Sequence, residues 1–243
     1  LRRVAQAMRS LGEPRLRTLS ADAGQALVLE IPPIELAVGE GCRLVVQGFT
    51  ISAGDANRAT RQKVLRKVDG VVFVADSRRE QLKNDLVSYA ELVEELRALG
   101  RDPRNMPLVL QYNHRDAESC LSIADLEAAL NRDGFPFFES VAEDGIGVGK
   151  CFSEVVRRMA ARAFQDLDLE SHGLSRGPLS AALDAELLAI GSRAAHQQHA
   201  EEVPEPEVET PGKEPAADVS LQALALDEAV RRYVEEVQRP LEY

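Results

Sequence analysis

The sequence predicts an α/β domain built on a parallel sheet, followed by an acidic and mostly disordered tail. Two observations carry this. From Val71 to Phe164 short apolar runs alternate with helical patterns, and strands alternating with helices imply a parallel sheet with ligands at the carboxyl ends of its strands. The charge is also divided. From Gln165 onward there are 6 Lys and Arg against 17 Asp and Glu, whereas the first 164 residues hold 23 of each, so the net charge of −11 belongs to the tail. The expected division is an α/β unit at 1–164 and a tail at 165–243.

The elements follow in order. Leu1, Val4, Met8 and Leu11 stand at helical spacing and predict a first helix over 1–11. Ala26–Ile31 and Arg43–Ile51 are rich in strand formers, and a Gly39-Glu40-Gly41 turn predicts their antiparallel pairing. A polar helix is expected at Asn57–Lys67. Val71–Ala75 is an unbroken apolar run, of the kind buried on both faces of a parallel sheet. An amphipathic helix from Gln81 to Leu99 stops at Gly100. Pro107–Tyr112 predicts a strand, Ser122–Leu130 a helix capped by Ser122, Pro136–Val141 a strand and Val148–Phe164 a helix. In the tail, Glu201–Pro215 is rich in Pro and Glu and predicts disorder. Short helices are expected at Leu179–Ile190 and Ser220–Gln238, the second with an apolar face suited to docking.

Composition excludes several classes. A neutral domain with an acidic tail argues against nucleic-acid binding, which needs basic patches to displace counterions. No run of about 18 apolar residues exists, so no membrane span is expected. Three scattered cysteines, Cys42, Cys120 and Cys151, fit neither a disulfide framework nor a zinc site, and a reducing, cytoplasmic setting is the simplest reading. His196 and His199 lack a third ligand and read as a solvated polar face. The chain begins with Leu, which suggests a fragment or a misplaced start.

Chemistry concentrates at strand ends. Asn113-His114-Arg115-Asp116 follows the strand PLVLQY, and Glu139-Ser140-Val141-Ala142-Glu143-Asp144-Gly145 follows the next one. Taken alone, each could be a plain turn. With the block VDGVVFVADS at Val68–Ser77, however, they resemble the MglA family of bacterial Ras-like small GTPases, which act in gliding motility and cell polarity. The resemblance covers roughly residues 15–164, in order and spacing.

That resemblance implies a Ras-like G domain of the P-loop NTPase class, binding GTP or GDP with Mg²⁺. The Asp116 carboxylate would accept from guanine N1 and N2, which adenine cannot match, and Asn113 would hold the loop and reach N7. His114 stands where the family has Lys, and the Ala142 N–H would meet guanine O6. Buried hydrogen bonds left unmade by the wrong base are the source of such selectivity. Protein regulators or effectors would be the partners.

Departures from the family pattern fall on the phosphate side. The phosphate loop, G-x-x-x-x-G-K-[ST], and the strand before it are absent from these residues; 1–11 resembles the helix that follows that loop. Asp144–Cys151 reads DGIGVGKC and mimics the motif, but Asp takes the first Gly position, Cys replaces the Mg²⁺-binding hydroxyl, and no sheet follows it. The segment expected to sense the γ-phosphate runs from Thr50 to Asp55, with Gly54 or Asp55 at the place of the Gln that orients water. No alignment supplies that Gln. No catalytic residue is assigned, and hydrolysis is expected to be slow or absent. Two readings stay open: a guanine-nucleotide switch of the MglA type, or a pseudo-GTPase that keeps the fold as an interaction module and binds no nucleotide.

Overall fold

The structure, a computed structural model, describes residues 2–8, 13–21, 24–36, 42–51, 58–167, 170, 175–196 and 207–208. Its centre is the predicted parallel sheet. Strands β6 (Val71–Asp76), β7 (Leu108–Asn113) and β8 (Phe137–Glu139) lie in that order, with Val71 beside Leu108 and Leu110 beside Phe137. Strand β7 is the middle one, and Leu108 to Tyr112 are all buried. Its side chains alternate between faces, as the pleat requires. Leu108, Leu110 and Tyr112 join one core cluster, while Val109 joins another.

Helices α3 (Leu82–Ala98) and α4 (Ile123–Leu130) cover the first face, and α5 (Val148–Asp166) the second. Helix α3 is entered through a 3₁₀ turn at Arg79–Gln81. Helix α4 begins as expected, with Ser122 Oγ accepting from the Asp125 N–H at 3.1 Å. Strand β6 is less enclosed than a central strand. Val74 is 52% exposed, because β6 is an edge strand paired on one side only among the described residues.

The N-terminal part differs more from expectation. Helix α1 (Arg2–Met8) is followed by β1 (Arg15–Ala21), which sequence reasoning missed, and then by β2 (Gly24–Glu30), its antiparallel partner. The run Arg43–Ile51 is not one strand. It divides into β4 (Cys42–Leu44), paired with β3 (Ile34–Leu36), and β5 (Gln47–Ile51), paired antiparallel with β2. The break falls at Val45–Val46, where the Val46 carbonyl accepts from the Ile31 N–H at 3.3 Å. The Gly39–Gly41 turn lies outside the described residues. Helix α2 (Arg58–Leu65) then leads back to β6.

Beyond the sheet, helix α6 (Arg176–His196) extends past the expected Leu179–Ile190 at both ends. Leu179, Leu183 and Leu187, at i, i+4 and i+8, bury one face in the same cluster as α1 and α5. Arg157 Nε donates to Asp184 Oδ1 at 2.6 Å across the α5–α6 contact. Within the Pro/Glu-rich segment, β9 (Glu207–Val208) pairs parallel with β1. The expected helix at Ser220–Gln238 lies outside the described residues.

Candidate functional site

The carboxyl ends of β6, β7 and β8 converge through a set of hydrogen bonds. Asn113 closes β7, and its Oδ1 accepts from the Ala142 N–H at 2.8 Å and from Ser140 Oγ at 3.1 Å. Ser140, buried just past β8, accepts in turn from Gln111 Nε2 at 3.0 Å. One asparagine amide thus ties the end of β7 to the loop after β8. Asn113 and Ala142, two of the predicted site residues, are joined directly.

The turn after β7 is equally fixed. His114 has φ 59°, the left-handed region, where His, Asn and Asp are the commoner non-glycine residues. The Arg115 N–H donates to the Ser140 carbonyl at 3.2 Å, and its guanidinium reaches Glu139 at 2.9 Å and the Leu121 carbonyl at 2.8 Å. The Cys120 thiol donates to the His114 carbonyl at 2.9 Å. Asp116 sits exposed on this turn, and its carboxylate has no side-chain partner among the described residues.

Sequence reasoning missed the residues at the end of β6. Asp76 lies beside Asn113 in the parallel ladder. Its carboxylate accepts from Arg78 Nε at 2.9 Å, from Arg78 Nη2 at 2.5 Å and from the Arg78 N–H at 3.1 Å. Burial pushes the Asp76 carboxyl up, but the Arg78 hydrogen bonds and the nearby charges of His114 and Arg78 outweigh it and hold it below the ordinary range. The Asp76 N–H donates to Asp85 Oδ2 at 2.9 Å. Burial raises the Asp85 carboxyl to about 6; the Asp76 N–H bond opposes the rise, and the Asp76 charge adds to it. The acidic residues were visible in VADS and in α3, but only the β6–β7 register brings them to the turn.

A cavity of about 2330 Å³ joins these parts. Thr50, Asn113, His114 and Ala142 line it together, with Thr50 exposed at the end of β5. Asp116 does not line it. Gly54 and Asp55 lie outside the described residues. Strands β5 and β6 also line the cavity, and each pairs on one side only among the described residues.

The DGIGVGKC segment forms the β8–α5 connection. Val141 and Ile146 bridge to each other, and Gly147 caps α5 with φ 77°. Cys151 is buried inside α5, and burial raises its thiol to about 12, with the Glu154 charge adding to this. A protonated, enclosed thiol is a poor ligand for a hard cation. No group of three His, Cys, Asp or Glu suited to a metal occurs among the described residues. No helix among them is long and apolar enough to cross a membrane.

No family model matches the chain. Over 134 residues it is 32% identical to the mutual gliding-motility protein MglA of Myxococcus xanthus (strain DK1622), a match covering 55% of this chain and 69% of that relative.

Proposed function

Because the chain belongs to the MglA family of Ras-like small GTPases, we propose that it is a guanine-nucleotide-binding switch whose hydrolysis is slow or absent. Asn113, His114, Asp116 and Ala142 form its base end. The observation that carries this is the Asn113 bridge to the Ala142 N–H, beside an Asp116 carboxylate with no protein partner among the described residues. A carboxylate in that state can accept the paired N1 and N2 hydrogens of guanine. The Asn113 Nδ2 is left to face N7. For Ala142 to meet O6, its N–H must be shared with, or turn from, Asn113 Oδ1.

Of the described residues, only Thr50 is assigned to the phosphate end. The single-sided pairing of β5 and β6 along one cavity supports a place between them for the strand that carries the family's phosphate loop. Thr50 would face the γ-phosphate there. Gly54 and Asp55 offer no amide to orient water, which supports slow turnover. The same lack favours the second reading, a pseudo-GTPase that serves as an interaction module. Gliding motility, named for the relative, is the process proposed for this chain, with protein regulators or effectors as its partners and the cytoplasm as its site.

Denaturing the native protein and chromatographing the released nucleotide tests this. Stoichiometric GDP or GTP is the expected result. A folded protein that releases none, and that takes up no added GDP with Mg²⁺, would establish the pseudo-GTPase instead.

A further inference from the structure

Arg115 stands inside the turn after β7, next to Asp116 in sequence, yet it does not line the cavity. Its side chain is only 18% exposed and is occupied within the protein. Nε donates to Glu139 Oε2 at 2.9 Å at the end of β8, and Nη1 donates to the Leu121 carbonyl at 2.8 Å just before α4. Its own N–H donates to the Ser140 carbonyl at 3.2 Å. One residue therefore ties together the β7 turn, the end of β8 and the entry to α4.

Both far ends of this brace are themselves held. The Leu121 N–H donates to the Ser77 carbonyl at 2.8 Å, and the Ser77 N–H donates to the Asn113 carbonyl at 2.9 Å. The guanidinium thus closes residues 115–121, with Asp116 among them, into a loop fastened to the end of β6. From Glu139 the chain reaches Ala142 in three residues, and the Ala142 N–H is held by Asn113 Oδ1 at 2.8 Å. The two acceptors are unequal. Glu139 is 53% exposed, and an exposed ion pair adds little. Leu121 is buried, and a charged donor on its carbonyl makes the stronger tie.

Resting on the reading of Asn113, Asp116 and Ala142 as the base-recognition end, we propose that Arg115 is a positioning residue that sets base specificity. It fixes the distance between the Asp116 carboxylate and the Ala142 N–H, so that one guanine meets both at once. Guanine carries O6 and the N1 and N2 hydrogens on a single rigid edge. A turn that drifts against the β8 end can satisfy one reader only by giving up part of the other. Lys at this position keeps the charge but lacks the planar fork, and it cannot span both acceptors.

The test compares the binding of GDP and inosine diphosphate, which lacks only the N2 amine. Both are measured with Mg²⁺ on the native full-length protein, Arg115→Met and Arg115→Lys, with thermal melts beside them. A loss of folded protein weakens both nucleotides alike, so their ratio reports how Asp116 is placed. The native protein should prefer GDP about 10- to 100-fold, as expected for one hydrogen bond to a charged acceptor. Arg115→Met should cut that preference about tenfold, and Arg115→Lys should cut it about threefold. If Arg115→Met fails to fold, Arg115→Lys carries the same comparison. A preference unchanged in the folded variants, whatever their Tm, overturns the proposal and leaves the guanine reading intact. A native protein that binds both nucleotides equally, or binds neither, overturns the two together.

Discussion

Replacing Gly147 by Ala should cost far more than the same change at Gly134, although both glycines have φ near 70–77°. A Cβ at Gly134 meets nothing within 4 Å. Its cost is the left-handed backbone penalty of about 1–2 kcal/mol, offset by about 0.4–1 kcal/mol from the reduced freedom of the unfolded chain. The net loss is about 0–1.6 kcal/mol. A Cβ at Gly147 would lie 2.0 Å from the Glu139 carbonyl oxygen and 3.0 Å from Ser140 Cα. The end of β8 would have to move by more than an ångström, and forcing atoms into packed structure costs about 1–3 kcal/mol more. Gly147→Ala should therefore lose about 1–3 kcal/mol more than Gly134→Ala, roughly 2–12 °C in Tm for a chain of this size. Paired urea and thermal melts measure the difference. The shift should also displace Ser140, so the amide resonances of Arg115 and Ala142 should move in Gly147→Ala and stay in place in Gly134→Ala. Losses equal within about 0.5 kcal/mol, close to the limit of such comparisons, would refute the packing argument and with it the described shape of the base loop.

Other expectations follow from the same geometry. Glu95, 3% exposed, accepts two hydrogen bonds from Arg61 at 2.7 and 2.8 Å and fastens α2 to α3. Breaking such a pair costs about 3–5 kcal/mol; Glu91, 3.5 Å from Arg61, can take part of the charge, so Glu95→Gln should lose about 2–3 kcal/mol in urea unfolding, and a loss under about 1 would contradict the clamp. Asp85 has a folded-state carboxyl raised to about 6, above its unfolded value, so its contribution to stability is present at low pH and is lost as pH rises through 6. Asp85→Asn should then stabilise by up to about 1 kcal/mol at pH 7.5, discounted for a half-buried group, and the gain should vanish near pH 4; a gain that persists there would sink the argument. Asp116→Asn replaces an acceptor with a group that also donates. It should weaken GDP binding about 10- to 100-fold and favour a xanthine nucleotide, whose C2 oxygen accepts; unchanged GDP affinity would rule out Asp116 as the base reader.

The parallel half of the fold was legible because each of its signals is local. PLVLQY is apolar but for Gln111 and forms the buried middle strand, Ser122 caps α4 by its own hydroxyl, and the Asn113–Asp116 turn follows its strand directly. The N-terminal half depends on distant partners. RLRTLSA opens with Leu16 between two arginines, but Leu19 falls out of that alternation, so no period-two signal marks β1. Nothing in RLVVQGFTI marks its division into strands that pair with two different partners, β3 and β2, both remote in sequence. Gly191 lies inside α6, where a glycine would ordinarily suggest a stop, and the helix runs on to His196. The Asp76 cluster needed the β6–β7 register, which no local pattern contains.

Asn113 and Asp116 do not bear equally on function, although the sequence presents them as one motif. The Asn113 amide oxygen is satisfied within the protein, holding the Ala142 and Ser140 groups. An asparagine would be useful there in a protein that binds nothing, because losing it would leave an N–H of the β8–α5 loop unpaired. Asp116 has no such occupation. It is exposed, accepts no side-chain bond among the described residues and supports no neighbouring element. A carboxylate at this turn does nothing for the fold that Asn or Ser would not do as well. What it alone supplies is an exposed, charged double acceptor, and guanine presents a matching pair of donors. The pseudo-GTPase reading accounts for Asn113 but leaves Asp116 without a role. The nucleotide reading accounts for both.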